Sequence, residues 1–293
     1  MNVSIRICRA SRTQLSSANL LRNRIHLSKG AVMTEHVHIS SSRSLMIAAV
    51  GFAVWALGYL AIALPFDAVS WEWAICVLGP LILAVGVLTH GSAFRRQFGT
   101  PAYVIFVIGL FVAACEFLPL ALNIGAGSTG WAAVPYVLWG TGWIIGAMGV
   151  LVVIAHKQSL HAINKGPVAS DAQLSLLCSG MLVYGIGFVE LGSDRSSHQF
   201  GAVAFGGVVL IAISLIAMRR SLTAQMGGAA TGIAIFIACA WAVKDVARVV
   251  GDLMTNATFA KEMVFGVTGV FYILAAVGCV LAARRSSAGS LKS

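Results

Sequence analysis

Apolar residues run along this chain in eight long blocks separated by short polar breaks, behind a polar opening over residues 1–44. The blocks cover about Leu45–Leu64, Trp71–Thr89, Ala102–Ile124, Trp131–Ala155, Ala172–Leu191, Phe200–Met218, Ala229–Val250 and Met263–Ala283. Each is close to the roughly 20 residues an α-helix needs to cross a hydrocarbon core about 30 Å thick. Continuous apolar runs of that length predict helices, which satisfy their own backbone groups in lipid, and exclude the alternation of a β-barrel. The expected fold is an all-α membrane protein with eight transmembrane helices.

The pattern also repeats. Gly51-Phe-Ala-Val-Trp-Ala-Leu-Gly58-Tyr59 in the first block aligns with Gly180-Met-Leu-Val-Tyr-Gly-Ile-Gly187-Phe188 in the fifth, at an offset of 129 residues. At the same offset Trp143 to Gly149 meets Tyr272 to Gly278, and Ala114-Cys115 meets Ala238-Cys239 at an offset of 124. Four spans per half preserve orientation, so two parallel four-helix repeats are expected, at 45–160 and 172–283, joined by a linker over 161–171. A glycine precedes an alanine by five residues in three blocks, at Gly79/Ala84, Gly142/Ala147 and Gly207/Ala212. Small residues let membrane helices approach closely, so these glycines read as packing positions. Pro80, Pro119 and Pro135 predict kinks in spans two, three and four.

Composition supports the same class: 58% of the 293 residues are hydrophobic and 10% charged, against about 25% charged in soluble domains. A net charge of +10 would suit a nucleic-acid partner, but its distribution argues for the lipid bilayer instead. Basic residues gather in the tail, at Arg95/Arg96, Lys157/Lys165 and Arg219/Arg220, and in a C-terminal tail over 284–293. The intervening loops hold only Arg195 and Lys261 as basic residues, with Asp67, Asp194 and Glu262. That asymmetry places both termini in the cytoplasm. Trp71, Trp73 and Trp131, near span ends, suit interfacial anchoring. The Arg-rich, acid-poor start resembles an organelle transit peptide; a plainer reading begins the protein at Met33, with residues 1–32 a disordered basic extension.

Candidate chemistry lies where charge interrupts the apolar blocks. Ala240 to Asp252 carries Lys244, Asp245, Arg248 and Asp252 at helical spacings that put them on one face, with Trp241 one turn before. Glu116 lies in span three, one turn from Pro119, and Glu190 lies near the outer end of span five. Ionisable groups at membrane depth are costly, so they pair, face an interior or mark a function. The six residues could form an outer-half network for a proton, an ion or a small polar solute; alternatively the bases snorkel to headgroups and the acids are simply wet.

No catalytic residue, metal site or cofactor is expected. The six cysteines, Cys8, Cys76, Cys115, Cys178, Cys239 and Cys279, form no close Cys-x-x-Cys pair. His90 and His156 end spans on the cytoplasmic side, where a shared haem is conceivable and interfacial histidines are the plainer account. Phosphate loops, nucleophile elbows and metalloprotease motifs are absent from the sequence.

The first hairpin, Gly58-Tyr-Leu-Ala-Ile-Ala-Leu-Pro65-Phe66 followed by Leu78-Gly79-Pro-Leu-Ile-Leu-Ala-Val-Gly86, resembles hairpins of HdeD-type acid-resistance membrane proteins. The multi-hairpin layout is similar to YhiM-type inner membrane proteins, linked to survival at low pH. These resemblances imply a bacterial inner-membrane protein of the envelope-stress kind, not an enzyme, with no site residues to transfer. Three readings follow. The first is a helical-hairpin bundle with an acid-stress role, open to assembly as a homo-oligomer. The second is a small secondary transporter or proton-linked permease using the charge cluster. The third is a membrane haem or redox protein.

Overall fold

The computed structural model describes residues 42–64, 70–122, 133–161, 169–193, 198–255 and 261–290. Among these the regular elements are all helical. They are α1 (Ser42–Ile62), α2 (Ser70–Thr89), α3 (Gly91–Phe98), α4 (Thr100–Ala114), α5 (Leu118–Ala121), α6 (Val134–His161), α7 (Asp171–Ser193), α8 (His198–Ala217), α9 (Arg219–Met226), α10 (Gly228–Thr255) and α11 (Lys261–Ser290). Seven spans are long and apolar enough to cross a membrane, with α4 and α5 together forming one of them; counting α8 with α9 as a bent pair brings the number to eight. The basic N-terminal tail and most of the 161–171 linker lie outside the described residues. α11 continues through Ser290, past Ala283 where the apolar pattern ends.

Glycine sets the helix crossings. A Cβ on Gly51 would lie 2.7 Å from the Leu83 amide nitrogen, and one on Gly180 would lie 2.8 Å from that of Ile211. Gly58 faces the Cys76 backbone as Gly187 faces that of Ala204, and Gly79 faces Trp55 as Gly207 faces Tyr184. Gly140 abuts the Gly185 carbonyl, and Gly269 the Ala56 carbonyl. Backbones that approach this closely gain dispersion contacts along the whole crossing, the main adhesive between helices in lipid. Trp55, Tyr59, Cys76, Phe117 and Tyr272 form one buried cluster and Tyr184, Ala204, Val208, Ile211 and Ala242 another.

Two short helices occupy what the sequence pattern reads as cytoplasmic loops. α9 turns 68° away from the bent partner α8. α3 is pinned by Phe94, whose ring lies 5.8 Å from Tyr103 and 5.6 Å from Phe106, and by Arg95 over Tyr103 at 5.6 Å. Both helices end on a glycine of nearly the same conformation, Gly99 at φ 86°, ψ 154° and Gly227 at φ 91°, ψ 160°. That region of backbone space is open essentially to glycine alone, so each residue ends one helix and re-aims the chain into the next span.

The three prolines sit in different settings. α2 runs through Pro80 without a break, and α6 takes Pro135 in its first turn, where a missing N–H costs nothing. Only Pro119 coincides with an interruption. Its ring crowds the carbonyl four residues back, that of Cys115. There the Cys115 carbonyl accepts from Leu118 N at 3.1 Å and Ala113 O accepts from Glu116 N at 3.1 Å, so the chain tightens through 115–117 before α5.

Candidate functional site

That interruption is what points Glu116 inward. The residue is 5% exposed, and at 1.5 Å per residue it sits roughly 7–8 Å along the span from Ala121. Phe117 beside it is one of four rings that close a circuit. Its centroid is 5.2 Å from Trp73 and 5.7 Å from Tyr59, while Phe265 is 6.1 Å from Trp73 and 5.5 Å from Tyr59. These rings come from α1, α2, the α4–α5 break and α11. One to two helical turns deeper, Trp55 stacks on Tyr272 at 4.2 Å with 12° between planes, and Trp139 meets Trp55 edge-on at 6.1 Å. Trp73, expected as an interfacial anchor, is instead part of this inner circuit; Trp71 is the exposed neighbour. The helical turn explains it, since adjacent-but-one residues project to opposite sides of a helix.

The cluster is short of polar partners. The Tyr59 phenol lies beside both Glu116 and Tyr272. Its geometry nevertheless leaves Glu116 Oε1 and the Tyr272 hydroxyl without a well-formed hydrogen bond, and Trp55 Nε1 is likewise buried and unpartnered. Buried polar atoms without partners are rare and expensive, by about 1–3 kcal/mol each. Three of them lie in this one cluster. The carboxyl of Glu116 can take up a proton or a cation, while the Tyr272 hydroxyl and the Trp55 indole N–H are free to donate hydrogen bonds.

Glu72, in the first turn of α2, is a second buried acid that the sequence reading passed over. The Cys76 thiol lies within electrostatic reach of both Glu116 and Glu72. The available signal was its place one turn before Cys76 in an apolar block.

On α10, Lys244 Nζ is 3.1 Å from Asp245 Oδ1 and sits 4.7 Å over the Trp241 ring. Asp245 lies within electrostatic reach of Tyr184 in the second buried cluster. Lys244 and Asp245 thus make a local pair. Glu190 is exposed on α7, where its carbonyl accepts from the Ser193 hydroxyl at 2.7 Å. The side chains of Arg248 and Asp252 lie outside the described residues. The His156 ring meets the Val152 carbonyl at 3.0 Å, one turn back on its own helix.

The register of the charges also changes. Glu116 stands seventeen residues past Gly99 and Lys244 seventeen past Gly227, an offset of 128. The offset of 124 that aligns Ala114-Cys115 with Ala238-Cys239 ignores these two turns. By residue count from these two turns, Lys244 stands at the position of Glu116.

Because both members of the Lys244–Asp245 pair are largely buried, at 17% and 15% exposure, Asp245→Asn strands the lysine charge and is expected to lower stability by about 3 kcal/mol. Thermal unfolding of the detergent-solubilised protein checks this. An unchanged midpoint would mean that Lys244 reaches water or headgroups without its partner.

Apolar spans, glycine crossings and a polar-aromatic interior define the class, a helical bundle with the build of a multi-pass integral membrane protein. No protein family matches the chain, and neither a curated protein nor a solved structure matches it.

Proposed function

We propose that this chain is a proton-linked permease of the bacterial inner membrane, built of two parallel four-helix repeats with both termini in the cytoplasm. Glu116 is its proton-carrying group and its chemistry is transport, without covalent turnover. The observation that carries the reading is the Glu116 carboxyl, buried within the span with Oε1 unpartnered beside Tyr59. A carboxylate without a countercharge at that depth is costly, so its charge state is linked to the arrival of water or a cation. The circuit of Tyr59, Trp73, Phe117 and Phe265 is the closed gate on the outer side. The paired glycine crossings support the repeat, because Gly51, Gly58 and Gly79 make the same approaches as Gly180, Gly187 and Gly207.

The test is proton movement in proteoliposomes, followed by an internal pH dye as amines, sugars and amino acids are added in turn. Wild-type protein is expected to couple proton flux to one class of solute. Glu116→Gln abolishes the coupling and Glu190→Gln leaves it intact. Equal flux in Glu116→Gln overturns the assignment. A second reading, an acid-stress bundle without turnover, draws on the likeness of the first hairpin to HdeD-type proteins. Absence of flux with every solute, together with an acid-survival defect on deletion, would favour it.

A further inference from the structure

We infer that the seam between α1 and α11 is a binding site for one anionic phospholipid, with an acyl chain along the seam and the phosphate at Arg43 and Arg284. A groove of about 600 Å³ follows this seam, running from Met46 to Leu60 on α1 and from Ile273 to Arg284 on α11. Met46 to Leu60 spans roughly 21 Å of helix, longer than the roughly 15 Å hydrocarbon depth of one leaflet. Ala53 and Ala276 keep the groove open between larger apolar residues. Its lining is apolar until one end, where Arg284 enters it.

Charge complementarity selects the occupant. Arg43 continues the α1 stripe one turn before Met46, and it is exposed, as Arg284 is. The Ser287 hydroxyl donates to that of Ser42 at 3.0 Å, which holds the two arginine-bearing ends together. α1 contains no acid, and the only acid on α11 is Glu262 in its first turn, at the opposite end. Two guanidinium groups over an apolar groove match a phosphate over an acyl chain, and a zwitterionic headgroup offers them no net charge. A basic pocket between membrane helices is a general form of acidic-lipid site. The site is independent of Glu116 and stands whether or not the chain transports anything.

Native mass spectrometry of protein from micelles holding equal phosphatidylglycerol and phosphatidylcholine tests this. Wild-type protein is expected to retain one phosphatidylglycerol in preference to phosphatidylcholine. Arg43→Gln and Arg284→Gln each reduce that preference about fivefold, and the double variant abolishes it. Arg219→Gln, on α9, leaves it unchanged. Ala53→Leu with Ala276→Leu keeps both arginines but fills the groove, and is expected to release the lipid. Equal retention of the two lipids by wild-type protein overturns the site, as does full preference in the double arginine variant. Displacement by soluble glycerophosphate would leave the groove without a role, and a dimer seated there regardless of headgroup would make the occupant a second copy. Either result also overturns it.

Discussion

Gly207→Val is expected to prevent the bundle from assembling, while Gly206→Ala next to it does no harm. A Cβ on Gly207 would fall onto the backbone nitrogen and Cα of Tyr184, and Tyr184 is 1% exposed. Backbone cannot rotate aside as a side chain can, so α7 and α8 would have to separate. The same seam is fixed on both sides, by Gly180 against Ile211 and by Gly187 against Ala204, so separation at one crossing opens all three. Forcing an extra methyl group into a packed core costs about 1–3 kcal/mol, and a branched side chain against backbone costs more. With all three crossings of the seam lost together, the cost reaches the scale of a total stability of about 5–15 kcal/mol, enough to remove the folded state. Gly206 has nothing within 4 Å of its added Cβ, so alanine there gains helix propensity of up to about 1 kcal/mol. Size-exclusion profiles and thermal unfolding in detergent measure both. A monodisperse Gly207→Val protein with wild-type stability would remove the close crossing on which the second half of the bundle rests.

The glycines show why much of this fold can be read in the chain. A span of about 20 apolar residues leaves little choice of secondary structure, so the second span, Trp71–Thr89, coincides with the observed one. Glycines spaced along such a span announce where another backbone comes near. α3 and α9 escaped notice for the opposite reason. Eight residues with paired arginines look like a loop, and what makes them helical is packing of Phe94 on Phe106 in one case and the Arg285 guanidinium donating to the Thr223 carbonyl at 3.0 Å in the other. The first contact reaches across the Gly99 turn into the next span, and the second joins distant parts of the sequence.

The site divides along the same line. Glu116 was conspicuous as an acid in an apolar block, and Lys244 with Asp245 stood out likewise. Their partners did not stand out. Tyr59 and Tyr272 are ordinary aromatic residues on the first and last spans, and only the closure of α11 against α1 brings both to the Glu116 side of the bundle. Helical spacing says which of the six charged residues share a face but not what that face meets. Lys244 turns to its neighbour Asp245 and the Trp241 ring, and Glu190 faces outward.

Replacing Glu116 by methionine is expected to stabilise the protein and silence it together. In the structure the carboxyl occupies a buried position with Oε1 unpartnered, and the described residues place no cation against it. A side chain of similar length without polar atoms removes that desolvation cost, which outweighs the hydrogen bond it gives up with the Tyr59 phenol. Removal of an unsatisfied buried polar group is worth about 1–3 kcal/mol, which in a domain of this size raises the midpoint of thermal unfolding by several degrees. If Glu116 were a structural residue held by hidden partners, the same change would lower the midpoint and aggregation would follow. If it carries protons, coupled flux vanishes in a protein that is more stable than its parent, the trade expected where a site keeps a strained group for its function. Glu116→Gln separates the two effects, because the amide retains the volume and the polar atoms while losing the ability to ionise. It should therefore lose flux with little gain in stability. A methionine variant less stable than wild type would make the carboxyl a packing element and leave the proposed permease without its proton carrier.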